Sequence, residues 1–205
     1  MARAIGLKVP ELVFAELDEA FGRTEPDEEI QDLLKASKGL NLGLHFLSGA
    51  VTYDAAVHKT DALLASKIVW LDCLITNVDR SFRNTNMLFW NKELWLIDHG
   101  SCLYFQHTWT GWEQKATADF SFIKDHVLLP LATELEAANE QLQKIVTNYL
   151  LRELTNNIPS DWLKWEGSDA SAEENRKVYY QFLAARLATT NKFTQHAIDV
   201  RKTLI

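Results

Sequence analysis

The chain has 205 residues, 47% hydrophobic and 24% charged, which suits one sizeable core and excludes a disordered or low-complexity polypeptide. Its formal net charge of −7 argues against a general nucleic-acid binder, because duplex binding rests on Lys and Arg releasing counterions from phosphate. Two cysteines, Cys73 and Cys102, are too few for a disulfide framework or a zinc cluster, no apolar run reaches about 18 residues, and "MARAIGLKVPEL" lacks a signal-peptide core; the chain therefore reads as soluble and cytoplasmic, with buried, reduced thiols and no membrane partner.

Residues 2–7, "ARAIGL", read as the last turns of a helix ended by Gly6, since so short a segment rarely nucleates alone, and the chain is expected to begin part-way through a domain. After Pro10, "ELVFAELD" predicts a strand, and the acidic "DEAFGRTEPDEEIQD" a solvated loop with a short helix. A second strand is expected at "LGLHFLSG", residues 42–49, followed by a connection, "TYDAAVHK". Thr60 or Asp61 can cap a helix over 61–77 whose Leu63, Leu64, Ile68, Val69, Leu71, Leu74 and Ile75 leave so little polar surface that it must be buried. "NMLFW" and "ELWLID" predict two short strands joined by a tight turn at Asn91 and Lys92.

Beyond the hairpin the pattern turns helical. Pro130 suits a first helical turn, and Leu135, Ala138, Leu142, Ile145, Tyr149 and Leu150 predict one helical face. "SAEE" at 171–174 is a capping box, Ser171 with Glu174, opening a last helix through Val178, Phe182, Leu183 and Leu187. The architecture is α+β: a small β element leading into a mostly helical body, without internal repeats.

Residues 77–100, "NVDRSFRNTNMLFWNKELWLIDHG", carry the densest polar chemistry. Taken singly, Asp79 and Asn84 are more often turn formers, because Asp and Asn bond their own backbone. Their arrangement points further. A buried helix delivers Asp79 to a loop, Asn84 follows in the same loop, and a hairpin returns Asp98 at a strand end before Gly100, so that all three can converge. Two carboxylates and an amide are hard oxygen ligands plus a proton acceptor, suited to Mg²⁺ and phosphate rather than zinc.

The order D-x-x-x-x-N, a hairpin, then D-x-G resembles the catalytic and metal-binding loops of protein kinases. "DCLITNVDRSFRNTNMLFWNKELWLIDHG" resembles the HipA-like kinase family, itself similar in fold and motifs to phosphatidylinositol 3- and 4-kinases; the likeness is specific over residues 72–104 and extends from "ARAIGLKVPEL" into the helical C-terminal region. The resemblance implies a protein-kinase-like fold, with residues 1–50 as a partial N-terminal lobe or lobe junction and 51–205 as the helical C-terminal lobe. It also implies ATP and Mg²⁺ as cofactors and a protein Ser or Thr hydroxyl as acceptor. Carried over by position, Asp79 is the catalytic base, Asn84 and Asp98 are the metal ligands, and Arg80, Asn84 and Asp98 face the nucleotide. Asn84 and Asp98 are accordingly expected to share one cation. Two positions depart from the protein-kinase pattern: His99 stands where Phe follows the metal-binding Asp, and Asn77 stands where His precedes the base.

Other residues keep two readings. Arg80 either holds the Asp79 carboxylate or the transferring phosphate, or is a surface arginine; Asn86 either caps the loop or supports the ligands; His99 packs or makes a supporting hydrogen bond. Of the seven tryptophans, Trp90 and Trp95 in the hairpin, with Trp109 and Trp112, are expected in packing rather than as a stacking surface for bases. Lys192, Arg201 and Lys202 read as a solvated face complementing a helix dipole. Eight glycines include no G-x-G-x-x-G, and no lysine is identifiable as the phosphate-pairing strand Lys, so the chain is expected to fold but to bind ATP poorly. A truncated start, a natural C-terminal-lobe remnant or completion by another chain each accounts for that. The alternative function is a non-catalytic interaction or regulatory module; a metal-dependent phosphatase or nuclease would need more carboxylates and His than this segment offers.

Overall fold

The structure is a computed structural model that describes residues 1–18, 20–107, 109–164 and 169–204. Its first element, Ala2–Ile5, is a 3-10 helix closed by Gly6 at φ 81°, a left-handed conformation that costs glycine little. Ala2, Ile5 and Leu7 are buried in the main core.

β1 (Leu12–Leu17) pairs antiparallel with β2 (Gly39–Leu44), from Leu12 opposite Leu44 to Leu17 opposite Gly39. Between them α1 (Glu28–Ala36) is capped by Asp27, whose carboxylate accepts from the Glu29 and Ile30 amides, and none of its residues is buried. The expected strand at 42–49 is corrected: β2 starts at Gly39 and ends at Leu44, and only the His45 amide, bonded to the Glu11 carbonyl at 2.8 Å, extends the pairing. At φ 94°, Gly39 lets the chain turn into the strand.

The second sheet has the order β3–β4–β5, with β3 (Val51–Thr52), β4 (Met87–Trp90) and β5 (Glu93–Leu96), all antiparallel. Asn91 and Lys92 both adopt positive φ, 50° and 65°, as a two-residue type I′ connection requires. Trp90 and Trp95 meet edge-on at 5.3 Å across this hairpin, and Trp109 packs edge-on against Phe105 and Tyr179, so these tryptophans serve packing.

The pillar of the body is α2 (Ala62–Ile75), N-capped by the Asp61 carboxylate, which accepts from the Leu64 amide. A helix apolar on every side can only be buried, and α2 touches α4 (Leu135–Ile145), α6 (Ala172–Ala188) and α7 (Thr190–Lys202). Trp70 donates from Nε1 to Asn139 Oδ1 at 2.8 Å and meets Phe193 edge-on. Cys73 is buried within α2, where loss of solvation pushes its thiol up to about 12; Cys102 is only half-buried.

Two helical expectations change. The single face drawn from Leu135 to Leu150 is two helices: α4 ends at Ile145, Thr147 caps α5 (Asn148–Asn156) by accepting from the Leu150 amide, and Tyr149 faces solvent. The capping box of Ser171 and Glu174 forms, but α6 is not the last helix, because Thr189 ends it and α7 follows. Lys192 lies at the start of α7, where it bonds the Thr117 carbonyl and Asp119, so a dipole role suits only Arg201 and Lys202 in the last turn; Arg201 also donates to the Pro130 carbonyl. α3 (Trp112–Thr117) packs on α6. No helix among the described residues is long and apolar enough to cross a membrane.

Candidate active site

The end of α2 builds the loop that carries Asp79. Thr76 takes φ 51° and stops the helix, and the buried Asn77 then works in both directions. Its Oδ1 accepts from the Asp79 amide at 3.1 Å, while its Nδ2 donates to Asp72 Oδ1 at 3.0 Å. Asn77, unremarked as a ligand in the sequence, therefore fixes where the Asp79 backbone sits.

The Asp79 carboxylate is held by two amides. Asn84 Nδ2 donates to Oδ2 at 2.9 Å and Asn86 Nδ2 donates to the same oxygen at 3.1 Å, while Asn86 Nδ2 also reaches the Asp79 carbonyl at 2.6 Å. Asn86 is buried at φ 47°, a conformation Asn tolerates better than most residues. It is thus both a loop cap and a support for Asp79. The loop between closes on Ser81, whose amide donates to the Asn84 carbonyl at 2.9 Å.

Hairpin register brings Asp98 alongside. Met87 is opposite Leu96, and the Ile97 amide continues the ladder to the Asn86 carbonyl at 3.0 Å, so the chain leaves β5 beside the Asp79 loop. Asp98 is exposed at φ 44°, and its Oδ1 accepts from the Gly100 amide at 3.1 Å. Four non-glycine residues in left-handed conformations, Thr76, Asn86, Asp98 and Leu103, punctuate the two loops; such strained backbone concentrates at functional sites. Asn84 contacts Asp79 directly, whereas among the described residues Asn84 and Asp98 make no hydrogen bond to each other.

Behind these loops lies a buried ionic centre. Asp72, on α2, is fully buried. Its Oδ2 accepts from Arg80 Nε at 2.5 Å and from His126 Nε2 at 2.9 Å. The Leu128 amide donates to His126 Nδ1, so that nitrogen is the acceptor and Nε2 carries the proton given to Asp72. Burial alone would raise the Asp72 carboxyl, but the Arg80 charge and the hydrogen bonds from His126 and Arg80 outweigh it and hold the group well below the ordinary carboxylate range. Arg80 is 2% exposed, which overturns the surface-arginine reading. Its Nη1 donates to the Asn86 carbonyl at 2.6 Å and its Nη2 to His99 Nε2 at 3.1 Å. His99 makes the supporting hydrogen bond expected of it; burial first, and the Arg80 charge second, push its imidazole down to about 4. Sequence reasoning missed Asp72 and His126, which lie respectively inside an apolar helix and far along the chain.

A cleft of about 740 Å³ reaches this centre at His99 and is lined by Ala2, Phe14, Leu42, Leu71 and Cys102 among others; Asp79, Asn84 and Asp98 do not line it.

An α+β chain with seven helices and two small antiparallel sheets among its described residues is compatible with a helix-rich, kinase-like domain. A family model described as HipA-like kinase matches residues 1–196, and the chain belongs to that family. No curated protein and no solved structure matches it.

Proposed function

We propose that the chain is an ATP- and Mg²⁺-dependent phosphotransferase acting on a protein Ser or Thr hydroxyl, with residues 1–50 at the lobe junction and 51–205 as the C-terminal lobe. The observation that carries the reading is the Asp79 carboxylate: Oδ2 is held by the Asn84 and Asn86 amides, while Oδ1 has no hydrogen-bond partner among the described residues. An oriented carboxylate with one free oxygen is what a base for a hydroxyl proton needs. Family membership supports kinase chemistry in general.

The donor set fits magnesium. Asn84 spends its Nδ2 on Asp79, leaving the side-chain carbonyl oxygen; Asp98 spends Oδ1 on the Gly100 amide, leaving Oδ2. One or two protein oxygens suit Mg²⁺, which keeps waters and phosphate oxygens as its other ligands. Among the described residues no group of three or more His, Cys, Asp or Glu could hold a metal, which disfavours the phosphatase or nuclease reading. Magnesium, when bound, supplies charge that neutralises the transferring phosphoryl group. Asp79 Oδ1 takes the proton of the acceptor hydroxyl, and the two amides keep the carboxylate from rotating away. Arg80, enclosed by Asp72, Asn86 and His99, acts from behind the loops rather than on phosphate.

Calorimetry with Mg²⁺-ATP and mass spectrometry of phosphorylated products, on this chain and on a form extended upstream of Met1, test the reading. In an active extended form, Asp79→Asn should lower turnover by about 10²- to 10⁴-fold, far more than it weakens nucleotide binding, whereas Asp98→Ala should remove the magnesium dependence of binding. Equal loss of binding and turnover in Asp79→Asn would contradict the base assignment. A second reading, a non-catalytic interaction module, is favoured by Val13, Phe14, Leu42 and Leu44 facing solvent on one small sheet. It predicts no Mg²⁺-ATP binding in either form.

A further inference from the structure

We propose that Asp72 is a positioning residue whose buried carboxylate, acting through the Arg80 guanidinium, sets the Asp79 loop and the Asp98 loop in one fixed relation. The inference rests on the reading of Asp79 and Asp98 as the two poles of a phosphotransfer site.

Two backbone bonds join the loops directly, Ile97 amide to Asn86 carbonyl at 3.0 Å and Val78 amide to Ser101 carbonyl at 3.3 Å, and the side-chain links between them converge on this carboxylate. Through Oδ1, Asp72 holds Asn77, which holds the Asp79 amide. Through Oδ2 it holds Arg80 Nε, and Arg80 divides from there. One branch, Nη1, grips the carbonyl of Asn86, the residue that bonds Asp79 Oδ2 and the Asp79 carbonyl. The other branch, Nη2, grips His99 next to Asp98. A third partner, His126, ties the same carboxylate oxygen to the segment bridged to Ser81 in the Asp79 loop.

Charge balance alone does not require this geometry. Any buried cation would neutralise Asp72, whereas a guanidinium is planar, with five donors in a rigid fork, and presents Nε to one partner while fixing where Nη1 and Nη2 meet two others. Lysine can keep the ion pair and cannot keep the fork. That difference separates a positioning role from simple neutralisation.

The test uses Arg80→Lys and His99→Phe in the whole chain, read in two ways: backbone amide shifts in ¹⁵N spectra without ligand, and Mn²⁺ affinity by electron paramagnetic resonance. Arg80→Lys should unfold cooperatively, shift the amides of both Asp79 and Gly100 while those of α7 stay in place, and weaken Mn²⁺ binding about 10- to 100-fold, the usual effect of losing a residue that orients metal ligands. His99→Phe, which cuts one branch only, should move the Gly100 amide and leave the Asp79 amide unmoved. Arg80→Lys that leaves either loop at its wild-type shifts, or leaves Mn²⁺ affinity intact, overturns the proposal. If Arg80→Lys does not fold, His99→Phe decides by itself: movement confined to the Asp98 side with weakened Mn²⁺ supports the forked link, and no movement overturns it. Wild-type protein that takes up no Mn²⁺ refutes the phosphotransfer reading instead, and the amide shifts of the two variants still decide whether Asp72 and Arg80 couple the loops.

Discussion

α2 and the β1–α1–β2 unit are both rich in aliphatic side chains, yet ten residues of α2 are buried and none of α1 is. In α2 even the acid is enclosed, and its cost is offset by Arg80, His126 and Asn77. In the N-terminal unit the reverse holds: polar groups find local partners, as Asp27 does at its cap, while Phe14, Leu33 and Leu44 face water. The contrast locates the folding free energy in the body that carries the candidate site and leaves the N-terminal unit attached to it by few apolar contacts. Substitutions in the two regions should therefore differ by several kcal/mol.

The largest effect belongs to Asp72→Ala. Removing one partner of a buried pair strands the other charge, and the loss should be about 3–5 kcal/mol by urea unfolding. Acid probes the same group. Its folded carboxyl titrates below the ordinary value of about 3.9, so its contribution is complete above that value and disappears as pH falls below it. Urea midpoints should fall between about pH 6 and about pH 3 in wild type, and fall less in Asp72→Asn. Equal slopes would break the claim that this carboxylate is held ionised.

Leu71→Ala comes next. Leu71 is completely buried on α2, and truncation should cost about 2–5 kcal/mol from lost transfer and the remaining cavity. Thr147→Ala should cost about 1 kcal/mol, the usual value for an N-cap, because only the Leu150 amide loses its partner. Thermal unfolding ranks the two, and a reversed order would move the weight of stability from packing to capping.

What could be read beforehand follows from range. The Asn91–Lys92 turn, the Asp61 cap and the Ser171–Glu174 box are signals contained within a few residues, and each forms. Asp79, Asn84 and Asp98 were recognisable as a spaced motif, and the hairpin register explains why Asp98 comes back beside the Asp79 loop. Asp72 was not legible, since its partners arrive 8 and 54 residues later and nothing local marks one acid in an apolar helix as a hub. The break at Val146 was hidden for the opposite reason. The helical period runs on through it, and only Thr147, an ordinary-looking threonine, announces the new helix.

The smallest effect is the one that sharpens the contrast most. Leu33 sits on α1 at 66% exposure, so Leu33→Ser removes little apolar surface from any core. Serine is a poorer helix former than leucine, by a few tenths of a kcal/mol, and the Asp27 cap that starts the helix is untouched. The change in unfolding free energy should therefore stay within about 0.5 kcal/mol, as for most surface substitutions. The same variant should bind less of a hydrophobic dye than wild type, because Leu33 belongs to the apolar surface this unit presents. A loss of about 2 kcal/mol or more would mean that Leu33 is covered in solution, and the loss should then shrink on dilution if the cover is a second copy of the chain, since mass action ties such stability to protein concentration. A small loss at every concentration leaves the β1–α1–β2 unit as an open apolar surface beside a self-sufficient body.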